Sequence, residues 1–336
     1  MQKLLKKLID DEKKINNKLY SAGTFWKSKS KKTIKELKKK SLVNFRGLNS
    51  GVGTSYSDNL ILDIRNEYNF KGRVISSFFK IPLINKIYND QLKITKSHID
   101  LMLKMQSICY SNNKRTKFLT KKYSFKNTES FGCIQNTRIN KKTYSTKYLE
   151  IANRVDNIQK KIDFKKINSF LEIGGGFGAN IHFIVNNFPN IKKIIYLDIV
   201  PNIYVGTEYL KKHFGKCVID YLKINNKNKI NFEKNEKLEI ICIPPWKIEN
   251  LDEQIDHFHN SCSFVEMPND VIKNYLIYIK KLKIKSASLI TYDDFDKSTI
   301  SPTILGKLFN KNAKYETKPT LLKELGNFEY YFYKKF

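Results

Sequence analysis

The stretch Leu171-Glu172-Ile173-Gly174-Gly175-Gly176-Phe177-Gly178-Ala179 decides the fold. The apolar run Ser169 to Ile173 reads as a buried strand. The residues after the glycines place Ile181, Ile184, Val185 and Phe188 on one helical stripe, which Pro189 terminates. A strand that turns through glycines into a helix lets a ligand approach the backbone and the helix N-terminus. The bare G-x-G-x-x-G/A spacing is weak, but the next strand, Lys193 to Ile199, carries Asp198 at its end. That is about 20 residues on, where the ribose hydroxyls of an adenosine would sit.

Downstream, apolar runs continue to alternate with amphipathic helices, the pattern of a parallel sheet covered on both faces. A helix begins near Pro201 and stops at Gly215. Strands follow at Leu238 to Ile243, ended by Pro244 and Pro245, and at Ile255 to Asn260. A helix at Asn269 to Leu282 leads to a strand at Ser286 to Tyr292, a helix at Pro302 to Phe309 and a last aromatic strand at Asn327 to Tyr333. The expected fold is α/β, a doubly wound, seven-stranded, mostly parallel Rossmann-like sheet over residues 161–336.

Residues 1–160 read as a mostly helical accessory region that covers a substrate site. Its first 40 residues hold 14 Lys against 4 acidic residues. Leu4, Leu5, Leu8, Ile15 and Leu19 recur at near-helical spacing, so this helix either lies on an anionic membrane or packs on its own protein with a solvated lysine face. A Gly/Ser/Asn stretch covers Gly47 to Asn59, and helical segments are expected at Val74 to Ile87 and Ile99 to Cys109.

The 336 residues carry 62 Lys and Arg against 32 Asp and Glu, a formal charge of +30, which raises the question of an anionic partner. Of the 62, however, 56 are Lys and 6 are Arg. Arg is the residue that forks onto phosphates and guanine edges, so no specific nucleic acid is expected. Five scattered cysteines without C-x-x-C spacing fit reduced thiols and a cytoplasmic protein. No run approaches the roughly 18 apolar residues of a membrane span.

Glu172, directly before the turn, separates two cofactor classes. A carboxylate there repels a pyrophosphate and attracts a sulfonium and an α-ammonium by on the order of 1–4 kcal/mol in a partly desolvated cleft. S-adenosyl-L-methionine is therefore favoured over a nicotinamide dinucleotide. The sequence also resembles the sugar O-methyltransferases, a family of class I S-adenosylmethionine-dependent methyltransferases. The resemblance spans roughly residues 125 to 290. It is carried by Glu129-Ser130-Phe131-Gly132, Tyr144-Ser145, Tyr148-Leu149, the glycine turn, Asp198-Ile199-Val200-Pro201-Asn202, Tyr209-Leu210, Pro244-Pro245-Trp246 and Asn260-Ser261-Cys262-Ser263-Phe264-Val265-Glu266-Met267. It implies that Glu172, Gly174, Gly175 and Gly176 surround the methionine part of the donor, that Asp198 holds the ribose diol, and that Ile199 and the loop after Ile243 flank the adenine. It further implies a sugar or glycan acceptor, as in surface polysaccharide biosynthesis, with Asn260, Ser261 and Ser263 at its site.

Methyl transfer to a hydroxyl needs an aligned oxygen and a base or metal to take its proton. Three groups compete: His257 and His259, on one face of a strand; Glu266, in the loop before a helix; and Asp293, Asp294 and Asp296, after a strand. Glu266 with His259 is the expected catalytic pair. Each also has a structural reading, Glu266 as a helix cap and His259 as a hydrogen-bonded core residue. A divalent metal on the His-x-His pair is conceivable but unsupported. Pro244-Pro245-Trp246 is similar to the motif of nucleic-acid amino-methyltransferases but lacks its polar residue, since Ile243 precedes it. A nucleic-acid methyltransferase and a non-catalytic scaffold of a glycan-assembly complex are the alternatives.

Overall fold

In a computed structural model of the chain, the described residues are 3–38, 42–47, 77–132, 136–293, 300–309, 314–321 and 327–335. The helices are α1 (Lys3–Ile15), α2 (Thr24–Leu37), α3 (Pro82–Asn112), α4 (Lys114–Lys122), α5 (Thr146–Gln159), α6 (Ala179–Asn187), α7 (Asn202–Phe214), α8 (Tyr221–Ile224), α9 (Asn269–Lys281) and α10 (Pro302–Phe309). The strands are β1 (Asn136–Ile139), β2 (Lys142–Ser145), β3 (Ser169–Ile173), β4 (Lys193–Leu197), β5 (Val218–Ile219), β6 (Glu239–Ile243), β7 (His257–Ser261), β8 (Ser286–Thr291), β9 (Tyr315–Pro319) and β10 (Phe328–Lys335).

One sheet has the order β5-β6-β4-β3-β7-β8-β10-β9, and β1 and β2 form a separate hairpin. The pairs from β5 to β8 are parallel, whereas β10 runs antiparallel to both β8 and β9. Every residue of β3 and β6 is buried, as expected of strands covered on both faces. The mixed α/β fold is as expected, and among the described residues the sheet has eight strands where seven were expected. β5 is too short to give an apolar run, and β9 (Tyr-Glu-Thr-Lys-Pro) is largely exposed, so burial left no pattern to read. From β3 the chain builds outward through β4 to one side, then returns to place β7 on the other. The strand order therefore reverses between β3 and β7, the position where α/β sheets open a ligand crevice.

The two helical segments expected around Val74 to Ile87 and Ile99 to Cys109 belong to one 31-residue helix, α3, which begins at Pro82. Residues 48–59 and 74–76 of the expected elements lie outside the described residues. Helix α1 buries Leu4, Leu5 and Leu8, and Asp11 accepts a hydrogen bond from the Tyr221 hydroxyl on α8 at 2.8 Å, so its apolar stripe packs on its own protein. Helix α7 starts at Asn202, one residue after the expected proline, and ends at Gly215, whose φ of 55° fits a glycine stop.

Asn260 lies at the C-terminal end of β7 and is fully buried. Its amide donates to the Ile173 carbonyl at 2.8 Å and to Ser263 Oγ at 3.3 Å, and its carbonyl accepts from the Phe264 amide at 3.1 Å. The side chain therefore ties the ends of β3 and β7 together and holds the turn that follows. It was expected at the acceptor; both of its amide hydrogens and one lone pair of its carbonyl are taken up by Ile173, Ser263 and Phe264. Asn260→Ala should lower stability by about 2–4 kcal/mol in urea unfolding, because it strands a buried carbonyl and a buried amide.

Candidate active site

Three glycines shape the turn after β3. Gly174 has φ +73°, and a Cβ there would collide with Ser263 Oγ; a Cβ on Gly175 would lie 2.6 Å from Glu172 Oε2. The Glu172 carboxylate is thus pressed against bare backbone. Oε1 accepts from Asn180 Nδ2 at 3.0 Å, and Oε2 is buried without a hydrogen-bond partner. Burial pushes its pKa up to about 8, and the nearby Asp198 adds to the shift. A buried carboxylate oxygen with nothing to bond lacks a cationic or donor partner.

Asp198 follows β4 and is also buried. Oδ2 accepts from the Gly176 amide and Oδ1 from the Ile199 amide, each at 2.7 Å. These bonds fix the turn and aim the carboxylate, and the Asn202 side chain adds a third donor. Burial raises its pKa to about 7 against the lowering effect of those amides. These residues fit a donor with an ammonium, a sulfonium and a ribose diol.

A cavity of about 340 Å³ opens beside the turn. Gly174, Asp198 and Ile199 line one side, and Ser261, Ser263, Glu266 and Tyr292 line another. Ser21, Ala22, Gly23 and Trp26, from the segment joining α1 to α2, line it as well. A smaller cavity of about 70 Å³ adjoins it, walled by Glu172, Gly174, Gly175, Gly176 and His259. Lys147 and Arg154 of α5 line both.

Glu266, in the larger cavity, is held by two side-chain donors. Trp26 Nε1 donates to Oε2 at 2.6 Å, and the Tyr292 hydroxyl donates to Oε1 at 2.5 Å. Burial raises its pKa, and the two donors act in the opposite direction. Its two oxygens bond to Trp26 and Tyr292, and helix α9 begins three residues on, after Pro268.

His259 is placed differently. Its Nδ1 is hydrogen bonded to Ser288 Oγ at 2.8 Å, and its pKa is pushed down to about 3 by burial and then by Arg154. It lines the smaller cavity beside Glu172, its partner in the β3–β7 register, so the structure does not bring it to Glu266. With so low a pKa it would be a weak base at neutral pH. His257 is hydrogen bonded to Ser286 and Ser288 within the sheet. Among the described residues no cluster of His, Cys, Asp or Glu is arranged to hold a metal. Asp293 accepts from the Tyr330 hydroxyl at 3.0 Å, and Asp294 and Asp296 lie outside the described residues. Trp246 donates to the Tyr221 hydroxyl at 3.2 Å and does not line the main cavity.

Sequence reasoning missed Trp26, Lys147, Arg154 and Tyr292. Arg154 donates to Ser261 Oγ at 3.3 Å and through Nε to Glu329 Oε1 at 2.8 Å, which holds it against the cavity from the last strand. Its rarity, as one of six Arg in a lysine-rich chain, was a usable signal, and so was Trp26 as one of two Trp.

Residues 116–218 match the family model of an O-methyltransferase domain. No curated protein matches the sequence. Among solved structures, mitomycin 7-O-methyltransferase is 12% identical with a TM-score of 0.38, and the match covers 56% of this chain and 57% of that one. The magnesium protoporphyrin IX methyltransferase of Synechocystis PCC 6803 is 8% identical with a TM-score of 0.37, covering 55% and 76%. A SAM-dependent methyltransferase of Aquifex aeolicus is 16% identical with a TM-score of 0.35, covering 56% and 95%. The chain thus spans little more than half the length of the mitomycin enzyme. The matched residues contain the glycine turn and Asp198, so this part of the chain is similar to an O-methyltransferase domain, and the sheet order is that of a doubly wound α/β fold.

Proposed function

We propose that the protein transfers a methyl group to the hydroxyl of a sugar or glycan, with Glu266 as the general base. The observation that carries the reading is the Glu266 carboxylate, clamped by Trp26 and Tyr292 in the wall of a cavity beside Gly174 and Asp198. S-adenosylmethionine, when bound, supplies an electrophilic methyl group. Glu172 would hold its ammonium, Asp198 its ribose hydroxyls, and Ile199 would flank the adenine. Both Glu266 oxygens keep a lone pair beyond the bonds from Trp26 and Tyr292, so either can accept the acceptor's proton while those donors fix its direction.

Ser21, Ser261 and Ser263 offer hydrogen bonds to neighbouring hydroxyls, and the Trp26 ring gives an aromatic surface beside them, a combination suited to a polyhydroxylated acceptor. In this reading residues 1–160 act as the cover, through Ser21 to Trp26 and through Lys147 and Arg154, over a donor domain formed by residues 161–336.

Labelled-methyl transfer tested against nucleotide sugars and oligosaccharides, with and without chelator, should show chelator-resistant incorporation into a sugar. Incorporation into RNA or DNA instead would refute the acceptor class. Glu266→Gln should lower kcat by about 10²–10⁴-fold with little change in donor affinity.

The Glu172 carboxyl supplies a second test. A bound cation favours its ionised form, so binding expels the proton, and donor affinity should rise several-fold from pH 6 to pH 7.5, below the raised pKa of about 8. In Glu172→Gln calorimetry should find weaker binding with a flatter pH dependence, the remaining slope coming from Asp198. An unchanged affinity and slope would remove Glu172 from the donor site.

A further inference from the structure

A second cavity, of about 360 Å³, lies between α1 and α2 and meets the main one at Ser21 and Ala22, which line both. Its volume is that of a small-molecule site. Helix α2 turns one face toward it, with Lys27, Ser30, Lys31 and Ile34 at helical spacing, and α1 contributes Glu12 and Ile15. Val200 and Trp246 line it from the sheet side, and Trp246 is held there by donating from Nε1 to the Tyr221 hydroxyl. Ile199 lines the main cavity and Val200 this one, so successive residues after β4 serve different cavities. Two polar groups on this apolar and aromatic wall have no partner among the described residues. They are the half-buried Glu12 carboxylate, which makes no hydrogen bond or ion pair, and the buried Ser30 hydroxyl. Burial alone raises the Glu12 pKa to about 7. Groups so placed lack the donor that would offset their removal from water. Lys27 and Lys31, one turn apart, stay exposed on the rim.

We propose that this second cavity holds the nucleobase of a nucleoside-diphosphate-activated sugar acceptor, an inference that rests on the sugar reading above and narrows it. A planar heterocycle suits a wall made of Trp246, Ile15, Ile34 and Val200. Glu12, which only accepts hydrogen bonds when ionised, selects a base that presents adjacent N–H groups, as guanine does at N1 and its exocyclic amine. It disfavours uracil, whose single imide N–H lies between two carbonyl oxygens. Lys27 and Lys31 supply ammonium groups for the diphosphate that follows the base. The wall shared at Ser21 and Ala22 then leads the sugar into the cavity that holds Glu266. The donor's adenosine is provided for separately, because Asp198, Ile199, Val271 and Tyr275 line the main cavity and none of them lines this one.

Calorimetry on the full chain saturated with S-adenosylhomocysteine, which keeps the donor site filled, tests the proposal with guanosine, cytidine and uridine diphosphates as probes. Guanosine diphosphate should bind at micromolar Kd without displacing S-adenosylhomocysteine. Glu12→Gln should weaken it about 10–100-fold, the range of a hydrogen bond to a charged group. Lys27→Glu with Lys31→Glu should weaken the diphosphate but not guanosine itself. Ile34→Trp, which fills the cavity, should abolish binding, and an unchanged affinity for S-adenosylhomocysteine shows that each variant is folded. Absence of nucleotide binding to the loaded protein would overturn the proposal. So would variants that weaken S-adenosylhomocysteine as much as the nucleotide, since the cavity would then belong to the donor's adenine. A preference for uridine diphosphate would overturn the part given to Glu12. The sugar reading fails separately: methylation of free oligosaccharides with no nucleotide bound overturns this inference alone, whereas nucleotide binding with no methyl transfer to any sugar overturns that reading alone.

Discussion

A carboxylate buried at the reversal point of the sheet, with one oxygen left unbonded, is the constraint around which the site is arranged. Removing Glu172 from water is unfavourable unless it is neutralised or paired, and its raised pKa expresses that cost. The surroundings accept it because Asn180 satisfies one oxygen and the glycines beside the other leave space where a side chain would stand. Asp198 approaches the same turn and locks it through two backbone amides. Two acids converge on one bend, and the sheet order places that bend where a ligand can enter.

The remainder of the cavity is assembled from distant parts of the chain. Trp26 reaches Glu266 across 240 positions, and Arg154 reaches Glu329 across 175. The helical N-terminal region is therefore part of the wall, and its apolar residues join the same core as the sheet. Glu329 pairs with the buried Arg154 guanidinium, which lines both cavities.

The parallel half of the fold was legible because its strands are buried on both faces and its helices on one, so hydrophobic period maps directly onto structure. The position of the glycine turn between strand and helix, with Glu172 before it and Asp198 after the next strand, was legible for a related reason, since it follows from local spacing. Asn260, His259 and Trp246 show the limit of that reasoning. Each has a residue type suited to a site, but whether it faces a cavity or a carbonyl depends on strands that lie elsewhere in the sequence. Strand β9 was hidden because exposure leaves no apolar alternation, and Trp26 because its partner is remote.

The long separation of those two clasps shapes how the molecule forms. Contacts so far apart cost the freedom of the intervening chain when they close. A partly folded chain can build the glycine bend from neighbouring residues, yet it has no finished chamber until the N-terminal segment and the last strand have both docked. Competence for chemistry is in this sense a property of the completed topology, and loosening at either extremity is felt at the centre.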